Sequence, residues 1–223
     1  MPNQLLSERQ VWQIQAPFEY TANELTFLKE NPLSDDLKWK DSIYKPIKDR
    51  IREYYYSIQN ETCAYCRLPI HGGTDNIEIE HIVDKNRRGD FTFEPQNLVV
   101  SCHNCNFIKS TKRVFQVCPP LNNYPNNGNT FNIIHGHFDI YFSNIELRQG
   151  SIYHAITDKG DFTIETCRLD RLELAEQREE VEKYLDDPLI AMVIEVRNSG
   201  NNEDLLNNIL QQLNDVQISV QPI

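Results

Sequence analysis

No stretch of this 223-residue chain approaches the ~20 consecutive apolar residues that a membrane-spanning helix requires, so no membrane span is expected. The first residues, MPNQLLSERQVWQIQ, lack the basic start, apolar run and small-residue cleavage site of a secretory leader, so the expected compartment is the cytoplasm. No internal repeat or low-complexity tract is present, and an apolar share of 39% with 25% charged residues suits a folded globular protein. The chain has no G-x-x-x-x-G-K-[ST] loop, so any P-loop nucleotide chemistry would have to come from a partner. Positive charge is also short: 22 Lys and Arg against 33 Asp and Glu leave a net charge of -11.

That deficit argues against a polyanionic partner until its distribution is considered. From His81 to Arg113, six basic residues (Lys85, Arg87, Arg88, Lys109, Lys112, Arg113) face three acids. From Glu176 onward, ten acids face three basic residues. The basic segment could meet a nucleic-acid backbone, although so small a patch is also what an ordinary solvated face looks like.

Six cysteines are present, and four form two C-x-x-C pairs, Cys63 with Cys66 and Cys102 with Cys105. Disulfides are rare in a reducing compartment, and two such turns can close a tetrahedral four-thiolate zinc site. A structural zinc would also explain how a short polar segment with little core of its own stays folded. Cys118 and Cys167 lack pair spacing and read as small buried apolar residues.

Between the pairs, IEIEHIV (77–83) alternates as a strand does, NLVVSC (97–102) is a second short apolar run, and HNCNFIKSTKR (103–113) suits a short helix. Upstream, Thr21 and Glu24 have capping-box spacing, and a helix beginning near Pro46 places Ile47, Ile51, Tyr54, Tyr55 and Ile58 on one face. Downstream, PPLNNYPNNGNT (119–130) reads as a linker, residues 131–164 as strands turning at Gly150 and Gly160, and RLDRLELAEQREEVEKYL (168–185) as an amphipathic helix. NSGNNED (198–204) should separate two terminal helices. The expected division is thus an N-terminal helical segment (1–60), a zinc-bearing core (61–118), the linker, and a mixed hairpin and helical region (131–223). His135, His137 and His154 have no ligand-like company and receive no role.

The motifs CAYC, IEHI, NLVVSCHNCN and the trailing Lys109 resemble, in that order, the HNH (ββα-metal) endonucleases. The resemblance implies an α+β fold with a ββα-metal core stapled by zinc and flanked by helical segments. It further implies metal-dependent hydrolysis of DNA, with His81 as general base, Glu80 and Asn106 as ligands of a catalytic Mg2+ or Mn2+, and Asn97 fixing the loop and the histidine. Glu80 stands where Asp is commoner, and Asn106 where His is an alternative. His103, inside the second Cys pair, competes for the helix role but is more simply a support for the zinc turn or a phosphate contact. The segment 137–178, with HFDIYF, a Gly-turn hairpin and TIETCRLDRLELAEQR, is similar, more loosely, to bacterial HNH proteins that work with an ATPase partner in anti-phage defence.

A physical account of the reaction stands beside what the resemblance implies. Phosphodiester hydrolysis needs a base for the attacking water, and an imidazole with an ordinary pKa near 6.5 suits that task. It also needs charge stabilisation, which a hard cation held by few oxygen donors can supply. Lys85, Arg87, Arg88, Lys109, Lys112 and Arg113 are candidate contacts to the DNA backbone. The competing reading is a zinc-stapled module that binds nucleic acid or protein without catalysis.

Overall fold

A computed structural model of the chain describes residues 12–33, 39–71, 76–115 and 123–185. The chain divides into two units, one ending at Arg171 but leaving out Gln149–Ser151, the other comprising that tripeptide and the chain from Leu172.

In the first unit, helix α1 (Ala22–Glu30) begins at the capping box anticipated from its sequence. Thr21 Oγ1 accepts from the Glu24 amide, and Glu24 in return accepts from the Thr21 amide. Helix α2 (Lys45–Ile58) carries Pro46 in its first turn, where the missing N–H costs nothing. Ile47, Ile51 and Tyr55 form its buried face, with Tyr54 and Ile58 half-buried beside them. Strands β1 (Ile77–His81) and β2 (Leu98–Cys102) pair antiparallel, with Ile77 opposite Cys102 and His81 opposite Leu98. Helix α3 (His103–Lys109) follows directly, so β1, β2 and α3 form a ββα unit within an α+β architecture.

Two polar side chains fix α2 to this unit. Gln59, fully buried, donates to the Val100 carbonyl at 2.8 Å and accepts from the Val100 amide at 2.9 Å, standing in for a strand neighbour of β2. Arg52 Nε donates to the Ile77 carbonyl at 3.0 Å, holding the other end of α2 to the start of β1. Leu98, Val99 and Val100 are all buried, so β2 is covered on both faces. Residues 12–18 contribute Trp12, Ile14 and Phe18 to the core, and the Ile14 amide donates to the Gly136 carbonyl.

Residues 131–171 depart from the expected strands. Only β3 (Ile145–Arg148) and β4 (Ile152–Ala155) form a hairpin, the chain passing through Gly150 at φ 74°. Residues 131–144 alternate in sequence but take an irregular path with a 3-10 turn at Tyr141–Ser143, while Phe131, Ile133, Ile134 and Tyr141 are buried. Gly160 is not a turn residue. It lies in helix α4 (Asp158–Cys167), whose N-cap Thr157 accepts from its amide. A Cβ at Gly160 would lie 2.0 Å from the Asn144 carbonyl oxygen, so this glycine permits close approach of helix and hairpin.

Within the expected linker, Tyr124 is half-buried, its hydroxyl on Asn97 Oδ1 (3.1 Å) and His135 Nε2 (2.9 Å). In the second unit, helix α5 (Leu172–Leu185) forms where the amphipathic pattern predicts one. Cys118, residues 119–122 and the 198–204 separator lie outside the described residues. No described helix is long and apolar enough to cross a membrane.

Candidate active site and metal centre

The two C-x-x-C turns meet. Cys63, Cys66, Cys102 and Cys105 have all four Sγ atoms within 4.8 Å of one another, and Cys66 and Cys102 are 4.0 Å apart. A disulfide needs about 2.05 Å, whereas a tetrahedron of thiolates with Zn–S bonds of about 2.3 Å needs sulfurs roughly 3.8 Å apart. The donor set and its spacing therefore fit zinc. Local backbone explains the first turn: the Cys63 amide donates to the Leu68 carbonyl, and the Arg67 amide to the Cys63 carbonyl, both at 3.0 Å, with Arg67 left-handed at φ 55°. Two further donors address the sulfurs, the Tyr65 amide on Cys63 (3.4 Å) and Arg171 Nη2 on Cys105 (3.7 Å). A four-thiolate zinc centre carries net negative charge, which the Arg171 guanidinium offsets.

Beside the cysteines, β1 and α2 form the walls of a cavity of about 1000 Å³. Glu78, Glu80 and His81 line it from the strand, and Asn106 from α3. His81 is 5% exposed, and its Nε2 lies 3.1 Å from the Thr92 carbonyl. A carbonyl only accepts, so Nε2 carries the proton and Nδ1 keeps its lone pair. Burial and the positive charge of Lys85 hold the ring's pKa down to about 3, which keeps the imidazole neutral at physiological pH. Trp39 backs the ring edge-on, with centroids 4.7 Å apart.

Asn97 is fully buried and makes four hydrogen bonds. Its amide donates to the Val83 (3.0 Å) and Phe91 (2.9 Å) carbonyls, and Oδ1 accepts from the Val83 amide (2.7 Å) and the Tyr124 hydroxyl. It therefore ties both sides of the loop that leaves His81.

Glu80 and Asn106 are engaged with different partners. Glu80 is 4% exposed and bound by Lys109 Nζ (2.5 Å) and the Tyr65 hydroxyl (3.0 Å); burial raises its pKa above the ordinary glutamate range, against the pull of Lys109. Asn106 Nδ2 donates instead to Glu78, which also holds His103 Nδ1 at 2.7 Å. Glu78 was missed in the sequence, yet strand alternation offered the signal, because residues two apart share a face.

Lys109 is a correction to the expected DNA contacts. It is fully buried, its ammonium held by Glu80 and by the His81 carbonyl at 3.0 Å, and it cannot reach a phosphate from there. Lys112 places its ammonium on the Thr166 carbonyl at 2.6 Å. Arg88 forms a two-point pair with Asp90 and stacks on Phe91, and Arg87 Nε donates to the Thr111 carbonyl. Arg113 is exposed, and of the six only Lys85 lines the cavity. Of the cavity's other cations, Lys40 lies before α2, while Lys45, Lys48 and Arg52 stand on its polar side, where nothing in the local sequence distinguishes them from an ordinary solvated face. His135 and His137 are buried structural histidines, the latter donating from Nε2 to the Leu98 carbonyl at 2.9 Å.

No curated protein sequence and no solved structure matches the chain. The model of the HNH endonuclease family matches residues 63–112, a span that opens at the first zinc-site cysteine and takes in both strands, His81, Asn97 and all of α3. The chain accordingly carries an HNH endonuclease domain at residues 63–112, built around a four-cysteine site suited to zinc.

Proposed function

We propose that the protein is a metal-dependent DNA endonuclease in which His81 is the general base. The observation that supports this most directly is the state of His81: neutral, lining the cavity, and with one ring nitrogen committed to the Thr92 carbonyl so that the other can accept a proton. In this reading, water attacks phosphorus as His81 Nδ1 takes its proton, and the 3' oxygen departs to leave 5'-phosphate and 3'-hydroxyl ends. Asn97 acts by position, tethering the loop beside His81.

Oxygen donors suited to a hard cation face the cavity on β1 and α3. Asn106 with the carboxylates of Glu80 and Glu78 would hold Mg2+ or Mn2+. When bound, that ion supplies Lewis-acid stabilisation of the phosphate and the departing oxygen. Glu80 would then exchange part of its hold on Lys109. The looser sequence resemblance to nucleases of anti-phage systems enters the proposal as an ATPase partner, which would provide the nucleotide chemistry absent from this chain.

One observation favours a second reading. Glu80 already has an internal cation in Lys109, as a non-catalytic zinc-stapled binding module would arrange it. Supercoiled plasmid incubated with wild type or His81→Ala at matched zinc content, in Mg2+ or Mn2+, separates the two. Nicking by wild type and its loss in the variant are expected; equal nicking by both would sink His81 as the base.

A further inference from the structure

The two walls of the cavity differ in charge. On the β1 wall stand Glu80 and Glu78, the latter hydrogen-bonded to Asn106. On the α2 wall stand Lys45, Lys48 and Arg52 against the acids Asp49 and Glu53, three cations to two carboxylates, all outside the span matched by the family model. A bare polyanion would be repelled by the first wall and a lone cation by the second. A phosphate group accompanied by a divalent cation satisfies both.

Resting on the nuclease reading above, we infer that the α2 wall is the phosphate-binding surface for the nucleic-acid strand entering the active cleft, with Lys45 and Lys48 holding backbone phosphates and Arg52 fixing the wall in place. Geometry on the helix suits the task. At 1.5 Å of rise per residue, positions 45, 48 and 52 spread over roughly 10 Å, about the reach of two to three phosphates along one strand.

The cations are held and only partly neutralised. Arg52 is anchored by the Ile77 carbonyl and by Asp49 (2.7 Å), which tethers the α2 wall to the strand carrying His81. Lys48 donates to the Trp39 carbonyl at 2.9 Å, an uncharged partner, and its ammonium lies 5.3 Å from the centroid of the Trp39 ring. That ring in turn meets His81 edge-on, so Lys48 is linked to the base through one aromatic side chain. Partial burial and repulsion by Arg52 hold the pKa of Lys48 below the ordinary lysine value, a strain that a bound anion would relieve. Lys45 is 69% exposed and pairs with Asp49, which it shares with Arg52. One carboxylate therefore serves two cations.

Binding is tested apart from cleavage, using fluorescence anisotropy of a labelled DNA oligonucleotide with the full-length protein in Ca2+ and a salt titration. Lys45→Gln/Lys48→Gln is expected to weaken binding about tenfold at low salt and to reduce the slope of log K against log salt by about 1.8, near 0.9 for each phosphate no longer neutralised. Asp49→Asn should tighten binding about two- to threefold, a gain that loss of folding cannot imitate. Lys29→Gln, an exposed lysine that does not line the cavity, is the matched control and should bind as wild type does. Unchanged binding by the double variant would overturn the inference even if wild type cuts DNA, and so would absence of DNA binding by wild type. Binding lost in the double variant would uphold it even if the wild-type protein proves unable to cut, in which case only the nuclease reading fails.

Discussion

Lys109 and Glu80, both buried, are joined at 2.5 Å across the ββα unit, one on the last residue of α3 and the other on β1. Such a pair stabilises little compared with an apolar pair of the same shape, but removing one partner strands a buried charge. Lys109→Met should lower unfolding free energy by about 3–5 kcal/mol. Adding Glu80→Gln should recover much of that loss. Urea unfolding of both variants at matched zinc content checks the pair; equal costs for the single and double variants would contradict it.

Zinc is expected at one ion per chain. Cys63→Ser should abolish stoichiometric zinc by elemental analysis, and removing the metal from wild type should expose four additional reactive thiols, because the site's folding free energy is the metal's binding free energy. An undiminished zinc content in the variant would rule out the four-cysteine centre.

Asn97→Ala removes four side-chain hydrogen bonds at once, three of them buried, and leaves the Val83 amide and the Val83 and Phe91 carbonyls without their partner. The expected cost is about 3 kcal/mol or more, since each stranded group costs roughly 1–3 kcal/mol. Under conditions where the variant remains folded, kcat should fall further than DNA affinity, because the residue positions the loop beside His81. A drop in affinity alone would exclude the positioning role.

Acid should unfold the protein through its buried histidines. Burial holds the pKa of His137 down to about 4 and that of His135 well below the ordinary value, with His137 and Lys159 adding to the effect on His135. Unfolded histidine takes a proton near pH 6.5, so below that pH the unfolded state binds more protons and stability falls as pH falls. For His137 the loss runs from about 6.5 down to about 4, near 1.4 kcal/mol per pH unit. Urea midpoints at pH 7, 6 and 5 should decline steadily, and His137→Gln should flatten the decline. A pH-independent midpoint would show that these rings are not buried neutral.

Gly160→Ala should destabilise by about 1–3 kcal/mol, the range for overpacking, because its new methyl group meets the Asn144 carbonyl. A thermal melt at or above the wild-type midpoint would argue against that close approach.

The ββα unit was legible because its signals are local: strand alternation at 77–81, paired cysteines at tight-turn spacing, and an apolar run leading into the second pair. The places of His81 at the end of β1 and of Asn97 just before β2 were legible for the same reason. The fate of Lys109 was not, because one lysine at the end of a polar helix looks alike in sequence whether it meets water or a buried carboxylate. Residues 131–144 misled because alternation also arises where an irregular segment is buried on one side. Gly160 misled because close packing and turns both select glycine. The α2 wall stayed hidden because the polar side of an amphipathic helix acquires meaning only from what stands opposite it.

Helix α3 has seven residues, too few to persist alone in water, where helices shorter than about 12–15 residues are marginal. It is clamped at both ends, by the thiolate cluster through Cys102 and Cys105 and by Glu80 through Lys109. Hydrogen exchange of its amides should therefore follow release of a clamp rather than ordinary end-fraying. Asn106, near the middle of the span, sits where neither end's small motions are greatest.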